Sequence, residues 1–230
     1  MQTYSATNGS RHVAPAAVAL RGTANIPEQN ATAKQIGALR SLVRGEELFA
    51  EGDPADHFYK VVSGTIRTYK LLNDGRRQID AFQLAGDIFG LETGAEHRFS
   101  AEAVEDTTVI VVRRCPFAAL AHDNPDFGDQ LMSSMMTNLE RAHDHMLLLG
   151  RKTAQEKIAT FLLDMAARIA KGDRFELPMQ RSDIADHLGL TIETVSRTLT
   201  QLAKNGLIEI AAASRHVVLR NKPALQRLNA

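Results

Sequence analysis

Apolar positions change their spacing twice along the chain. Residues 1–30 are rich in Ala, Thr, Asn, Ser and Gln with little apolar periodicity, which predicts a mobile N-terminal tail. A short helix is expected over Ala33 to Leu42. From Gly45 to Val112 short runs of β-branched and aromatic residues recur: Phe58–Val62, Thr65–Leu71, Ile79–Leu84 and Thr107–Val112. Turn signals separate them, at Gly52-Asp53-Pro54, Ser63-Gly64, Asn73-Asp74-Gly75 and Ala85-Gly86-Asp87. Short strands at such spacing predict a β-barrel, sandwich or roll over residues 31–124. Asn73-Asp74-Gly75 reads as a hairpin tip, because Asn and Gly tolerate positive φ.

Helical spacing then takes over. Pro116–Leu120 reads as a short helix, and residues 125–150 as a long one with no internal Pro. Along the long helix Leu131, Met135, Asn138, Ala142, His145 and Leu149 alternate spacings of four and three, a heptad seam expected to face a second copy. A second row, Met132, Met136, Leu139, His143 and Met146, lies alongside and is expected to pack on the β-domain. Thr153–Ala170 is a further amphipathic helix, with Gly172 expected as its left-handed cap.

The segment from Arg181 to Gly206 carries the function. Ser182 or Asp183 is expected to cap a first short helix, and Ala185 is small enough for a close helix crossing. Gly189 permits a tight turn, and Thr191 is a good N-cap for a second helix with the buried stripe Val195, Leu199 and Leu202. This pattern is a helix-turn-helix, with residues 191–205 as recognition helix. Its exposed face holds Ile192, Glu193, Ser196, Arg197 and Gln201. Arg197 can donate two hydrogen bonds to guanine, Glu193 can accept from a base amino group, and Ser196 can pair with either kind of edge. Leu207–Ile210 and His216–Leu219 then read as the two strands of a wing, with Arg215 at its tip placed for a phosphate. Residues 151–230 are therefore expected to form a winged DNA-binding domain. The whole chain reads as α+β.

Charge sharpens this picture. The net charge of zero divides into 14 Lys+Arg against 19 Asp+Glu in residues 1–150, and 13 against 8 in residues 151–230. A basic C-terminal third suits a polyanion. The single cysteine, Cys115, excludes an internal disulfide and an all-cysteine metal cluster, and reads as a small hydrophobe. No apolar run suggests a membrane span and the start lacks a secretory signal, so a cytoplasmic protein is expected. There is no Gly-rich phosphate loop, helical His-x-x-x-His with a glutamate, or nucleophile elbow, so an enzyme is not expected.

Over roughly residues 36–225 the sequence resembles the CRP/FNR family of bacterial regulators. Glu193-Thr194-Val195-Ser196-Arg197 is similar to the Glu-x-x-Ser-Arg signature of the FNR-type branch. Leu84-Ala85-Gly86-Asp87, with Glu96 to Ala103, resembles the FixK subgroup. The resemblance implies a jelly roll of the cyclic-nucleotide-binding type, a dimerisation helix and a winged helix-turn-helix. It implies a homodimeric activator of low-oxygen respiration or nitrogen-fixation genes on a TTGA-N6-TCAA-like inverted repeat. Glu193, Ser196 and Arg197 would read bases, while Thr191, Thr194, Arg181 and Arg215 would hold the backbone. It also implies that Asn73, Asp74, Gly75, Arg76 and Arg77 contact RNA polymerase. The cyclic-nucleotide branch carries an Arg-Ser pair where this chain has Phe99-Ser100, and iron–sulfur members carry N-terminal cysteines absent here. Neither cAMP nor an iron–sulfur cluster, and no other cofactor, is therefore expected. His57, His97, His143 and His145 leave open a haem- or metabolite-gated alternative of the same architecture.

Overall fold

The computed structural model describes residues 37–114, 125–211 and 214–229. Two four-stranded antiparallel sheets form the N-terminal part. The first has the order β1 (Ala38–Leu42), β8 (Thr107–Arg113), β3 (His57–Ser63), β6 (Ile88–Phe89). The second has the order β2 (Glu47–Phe49), β7 (Ser100–Ala103), β4 (Thr65–Leu71), β5 (Arg77–Leu84). Strand alternation sorts the side chains of the first sheet between two cores. Tyr59, Val61 and Val109 point inward and meet Leu48, Phe49, Ile66 and Ala101 of the second sheet. Phe58, Ile110 and Val112 point outward and bury Phe127 and Leu131 of α1 (Pro125–Arg151). Both faces of the sheet are thus covered, which is why β3 and β8 read as nearly continuous apolar runs.

The expected helix over Ala33 to Leu42 is not formed in its described part. Ala38–Leu42 is a strand paired antiparallel with β8, Leu42 opposite Thr107. Four of its five residues are exposed, so an edge strand with one buried anchor left little alternation to read. The strands β2, β6 and β7 are only two to four residues long and also escaped the sequence pattern. The expected tail, the Pro116–Leu120 helix and Cys115 lie outside the described residues. At Gly64, φ is +81° and an added Cβ would lie 2.4 Å from Thr107 Oγ1, so only glycine fits between β3 and β4.

The third core holds the C-terminal part. It comprises α2 (Ala154–Ile169), α3 (Arg181–Leu188), α4 (Ile192–Lys204), α5 (Lys222–Asn229) and a three-stranded sheet. That sheet has the order β10 (Ile208–Glu209), β11 (His216–Leu219), β9 (Arg174–Glu176). Thr153 and Glu156 make a capping box at the start of α2. Its C-cap is Ala170 in extended conformation; Gly172, at φ +71°, belongs instead to the turn into β9. The same core continues into the roll through Ile79, Phe82, Leu84 and Val104. No described helix is long and apolar enough to cross a membrane.

Candidate nucleic-acid interface

The reading surface is built on α3 and α4. Gln180, not Ser182 or Asp183, is the N-cap of α3, and the Asp183 carboxylate accepts the Gln180 backbone N–H at 3.2 Å. The chain then reverses at Gly189, whose φ of 61° and ψ of 43° lie in the left-handed region that glycine enters without strain. Leu190 N–H donates to Ala185 O at 3.0 Å and closes the turn. Thr191 Oγ1 accepts the Thr194 backbone N–H at 3.2 Å and fixes where α4 begins. Val195, Leu199 and Leu202 bury one side of α4 completely in the third core. The helix is thereby oriented, and everything polar is turned outward.

On that outward face Ile192, Glu193, Arg197 and Gln201 are exposed and Ser196 is half-buried. Neither Glu193 nor Arg197 has a side-chain hydrogen bond or ion pair among the described residues. A carboxylate acceptor and a guanidinium fork one turn apart, left free at a helix N-terminal half, are groups able to pair with base edges in a major groove. Arg181 opens α3 and donates to Ser196 Oγ at 3.3 Å, which ties the first helix to the reading face. Thr191 and Thr194 share a hydroxyl contact of 3.1 Å at the start of α4. Arg215 is exposed beside the wing but is engaged within the chain: it donates to Pro178 O at 3.0 Å and meets Glu176 at 3.1 Å.

The two rows of α1 exchange the faces expected of them. Leu131 is buried against the roll, Asn138 donates to Ile88 O at 2.9 Å, His145 stacks on His187 at 4.2 Å, and Leu149 packs on the third core. Of that row only Met135 and Ala142 are exposed. Met132, Met136, Leu139, His143 and Met146 face outward instead, with Met136 58% and Met146 64% exposed. Two adjacent heptad rows have the same period. What decides between them is Phe127, which extends the Leu131 row into the outer core of the roll.

A second correction concerns the hairpin between β4 and β5. Asn73, Asp74, Gly75 and Arg76 are exposed at its tip, where Arg76 pairs with Asp74 at 2.7 Å. Arg77 does not join them; it turns inward to Asp183 and Asp186 of α3. Sequence reasoning missed this, since adjacent arginines after a turn look alike until strand alternation separates them.

A cavity of about 760 Å³ lies between the roll, α1 and α2, lined among others by Phe49, Phe82, Phe89, Phe99 and Phe161. Its two arginines are already held: Arg141 and Arg168 both pair with Asp87. Asp80, Glu92, Asp144 and Asp164 also line it, while Arg98 is exposed elsewhere. Among the described residues a cyclic-nucleotide phosphate finds no free cation there, so those residues do not fit that ligand. Of the four histidines singled out, His57 begins β3, His97 stacks on Phe49 at 3.6 Å, and His143 and His145 lie on α1. Among the described residues no cluster of three or more His, Cys, Asp or Glu could hold a metal. His187 is half-buried among Phe82, Phe161 and His145; desolvation, then the neighbouring His145, bring its pKa down to about 3. Desolvation, then Lys157, lower His145 as well, whereas burial raises Asp80.

A roll whose second sheet shares its core with a winged helix-turn-helix defines a class of DNA-binding regulators, and comparison with known proteins agrees. Residues 39–124 match the cyclic nucleotide-binding domain family, and residues 156–228 the Crp-like helix-turn-helix domain family. The chain is 47% identical over 199 residues to the nitrogen fixation regulation protein FixK of Azorhizobium caulinodans, covering 84% of this chain and 80% of that protein. It is 44% identical over 169 residues to the transcriptional activatory protein AadR of Rhodopseudomonas palustris, covering 72% and 71%. The solved structure of FixK2 from Bradyrhizobium japonicum superposes with a TM-score of 0.78 at 48% identity, covering 85% and 98%. The chain belongs to the CRP/FNR family of transcription regulators, in its FixK-like subgroup. It is a helix-turn-helix DNA-binding protein.

Proposed function

We propose that the protein is a cytoplasmic, homodimeric transcription activator that reads a TTGA-N6-TCAA-like inverted repeat. One observation carries this reading: Glu193 and Arg197 stand unpaired on the exposed face of a helix whose opposite face is completely buried. Arg197 donates to guanine, Glu193 accepts from a base amino group, and Ser196, held by Arg181, completes the reading trio. Thr191, Thr194, Arg181 and Arg215 lie around it for the phosphates; Arg215 would exchange its partners Pro178 and Glu176 for DNA. The exposed row Met132, Met136, Leu139, His143 and Met146 supplies the dimer face, sited to hold two recognition helices about one helical turn apart, roughly 10 base pairs. The nitrogen-fixation setting follows the names of the FixK relatives, and the low-oxygen setting follows the family resemblance. Asn73 to Arg76, beside the exposed Leu71 and Leu72, form the surface offered to RNA polymerase. Selection of bound DNA from a random pool tests the reading. The inverted repeat should emerge; an asymmetric motif, or none, overturns it.

The cavity favours a second reading, in which an apolar effector gates the same protein. Its phenylalanine lining suits a flat or aliphatic molecule. A change in DNA affinity on adding cell-extract metabolites, or a haem absorbance band in the purified protein, would support it.

A further inference from the structure

The most heavily charged contact in the described chain joins the roll to the first helix of the helix-turn-helix. Arg67 of β4 donates to Asp183 Oδ1 at 2.9 Å and to Glu102 at 2.6 Å. Arg77 of β5 donates to the same Asp183 oxygen at 2.7 Å and to Asp186 at 2.9 Å. The Asp183 side chain is only 4% exposed, and its other oxygen caps α3 through Gln180. One carboxylate therefore both starts the helix and receives two guanidinium groups from the roll. Two neutral bonds flank it: Gln78 Nε2 donates to His187 O at 3.2 Å, and His187 Nδ1 lies 3.1 Å from Ile79 O.

This arrangement restricts orientation as well as distance. A guanidinium fork satisfied on two sides tolerates little rotation, and a charge this buried cannot exchange its partner for water cheaply. Covalently, the DNA-binding part follows α1 across only Lys152 and Thr153. The shared apolar core keeps the two parts together without fixing a direction, and the charged pairs set the angle at which α3, and α4 with it, sits on the roll. Arg76, the residue before Arg77, is 76% exposed and its side chain pairs with Asp74 in its own hairpin, whereas Arg77 is 23% exposed. The sequence thus separates a solvent arginine from a junction arginine by one strand position.

We propose that Arg67 and Arg77 are positioning residues that fix the pitch of α4 relative to the dimer face, and so make the protein selective for one spacer between half-sites. This rests on the inverted-repeat reading above. One added base pair moves the second half-site by about 3.4 Å and turns it by about 35°. A rigid pair of recognition helices cannot follow that displacement, and a loosened pair can.

The test measures binding of full-length protein to duplexes with the selected spacer, with spacers one base pair shorter and longer, and with a single half-site. The wild type should favour the selected spacer by about tenfold or more. Arg77→Ala and Arg67→Ala/Arg77→Ala should bring the three spacers within about threefold of one another, leave the single half-site unchanged, and broaden the solution-scattering distance distribution of the free protein. Arg77→Lys, which keeps a cation at the junction, should recover most of the selectivity. Thermal melting separates loss of the junction from loss of the fold, and the single Arg77→Ala variant is the milder of the two. Undiminished spacer selectivity in the double variant overturns the proposal and leaves the operator reading standing. A wild type that binds one half-site as tightly as the repeat removes the operator reading, and the spacing role with it.

Discussion

Helices α1 and α4 each carry an apolar stripe, and the structure treats the two in opposite ways. In α4 the stripe Val195, Leu199 and Leu202 is completely enclosed by its own chain, and the polar side is what remains outside. In α1 an inner stripe is enclosed by the roll and the C-terminal core, and a second apolar row stays in solvent. An exposed row of methionines and leucines on a long helix is unfinished burial, and it calls for a second helix. The helix proposed to read DNA is complete within one chain; the helix proposed to space two readers is not.

The strongest way to break this contrast is to charge the outer row. Met136→Asp should cost about 3–5 kcal/mol of association, because a symmetric dimer would bury an unpaired charge from each copy. Sedimentation should show monomers, with the circular dichroism spectrum retained; a variant that stays dimeric would assign the interface elsewhere. Leu202→Ala, at the enclosed stripe, should instead lower folding stability by about 2–5 kcal/mol, read from urea melts. Arg197→Ala should leave folding alone and cost about 1–3 kcal/mol per half-site, with preference relaxed at a single guanine. Unchanged preference at every position would remove Arg197 from the reading face.

Acid provides a finer probe of the place where α1 meets α3, at the stacked His145 and His187. His187 has a pKa of about 3 in the folded chain against an ordinary 6.5. Between those values the unfolded chain binds the proton and the folded one does not, so stability is full above about pH 6.5 and falls as pH drops. From about pH 7.5 to about pH 5.5 that loss is about 1.4 kcal/mol, and His187→Gln should flatten the slope by this amount in melts. The smallest effect is expected from Thr191→Ala, which removes the cap of α4 and should cost about 1 kcal/mol.

How much of this was legible in sequence depended on whether a feature is local. The turn at Gly189, the Thr191 cap and the buried stripe of α4 are set within about fifteen residues of one another, and all three could be read directly. The long strands β3, β4, β5 and β8 were readable for the same reason. Strand β1 was not, because its pairing with β8 lies far away in sequence and its own residues are mostly exposed. The face choice of α1 and the inward turn of Arg77 were hidden too. Each is decided by partners that no short window contains: Phe58, Ile110 and Val112 of the roll, which bury Phe127 and Leu131, and Asp183 on α3, which receives Arg77.

The shared third core has a consequence for how the chain can be divided. Phe82 of the roll packs edge-on against Phe161 of α2 at 6.3 Å, and Ile79 and Leu84 lie in the same cluster as Leu162, Leu188 and Leu202. A fragment beginning at the α1–α2 joint would keep every helix of the reader yet lose one wall of its interior. The junction that looks like a domain boundary along the sequence is, in free-energy terms, the middle of a single cooperative unit, and a protease would find no seam there that is already open.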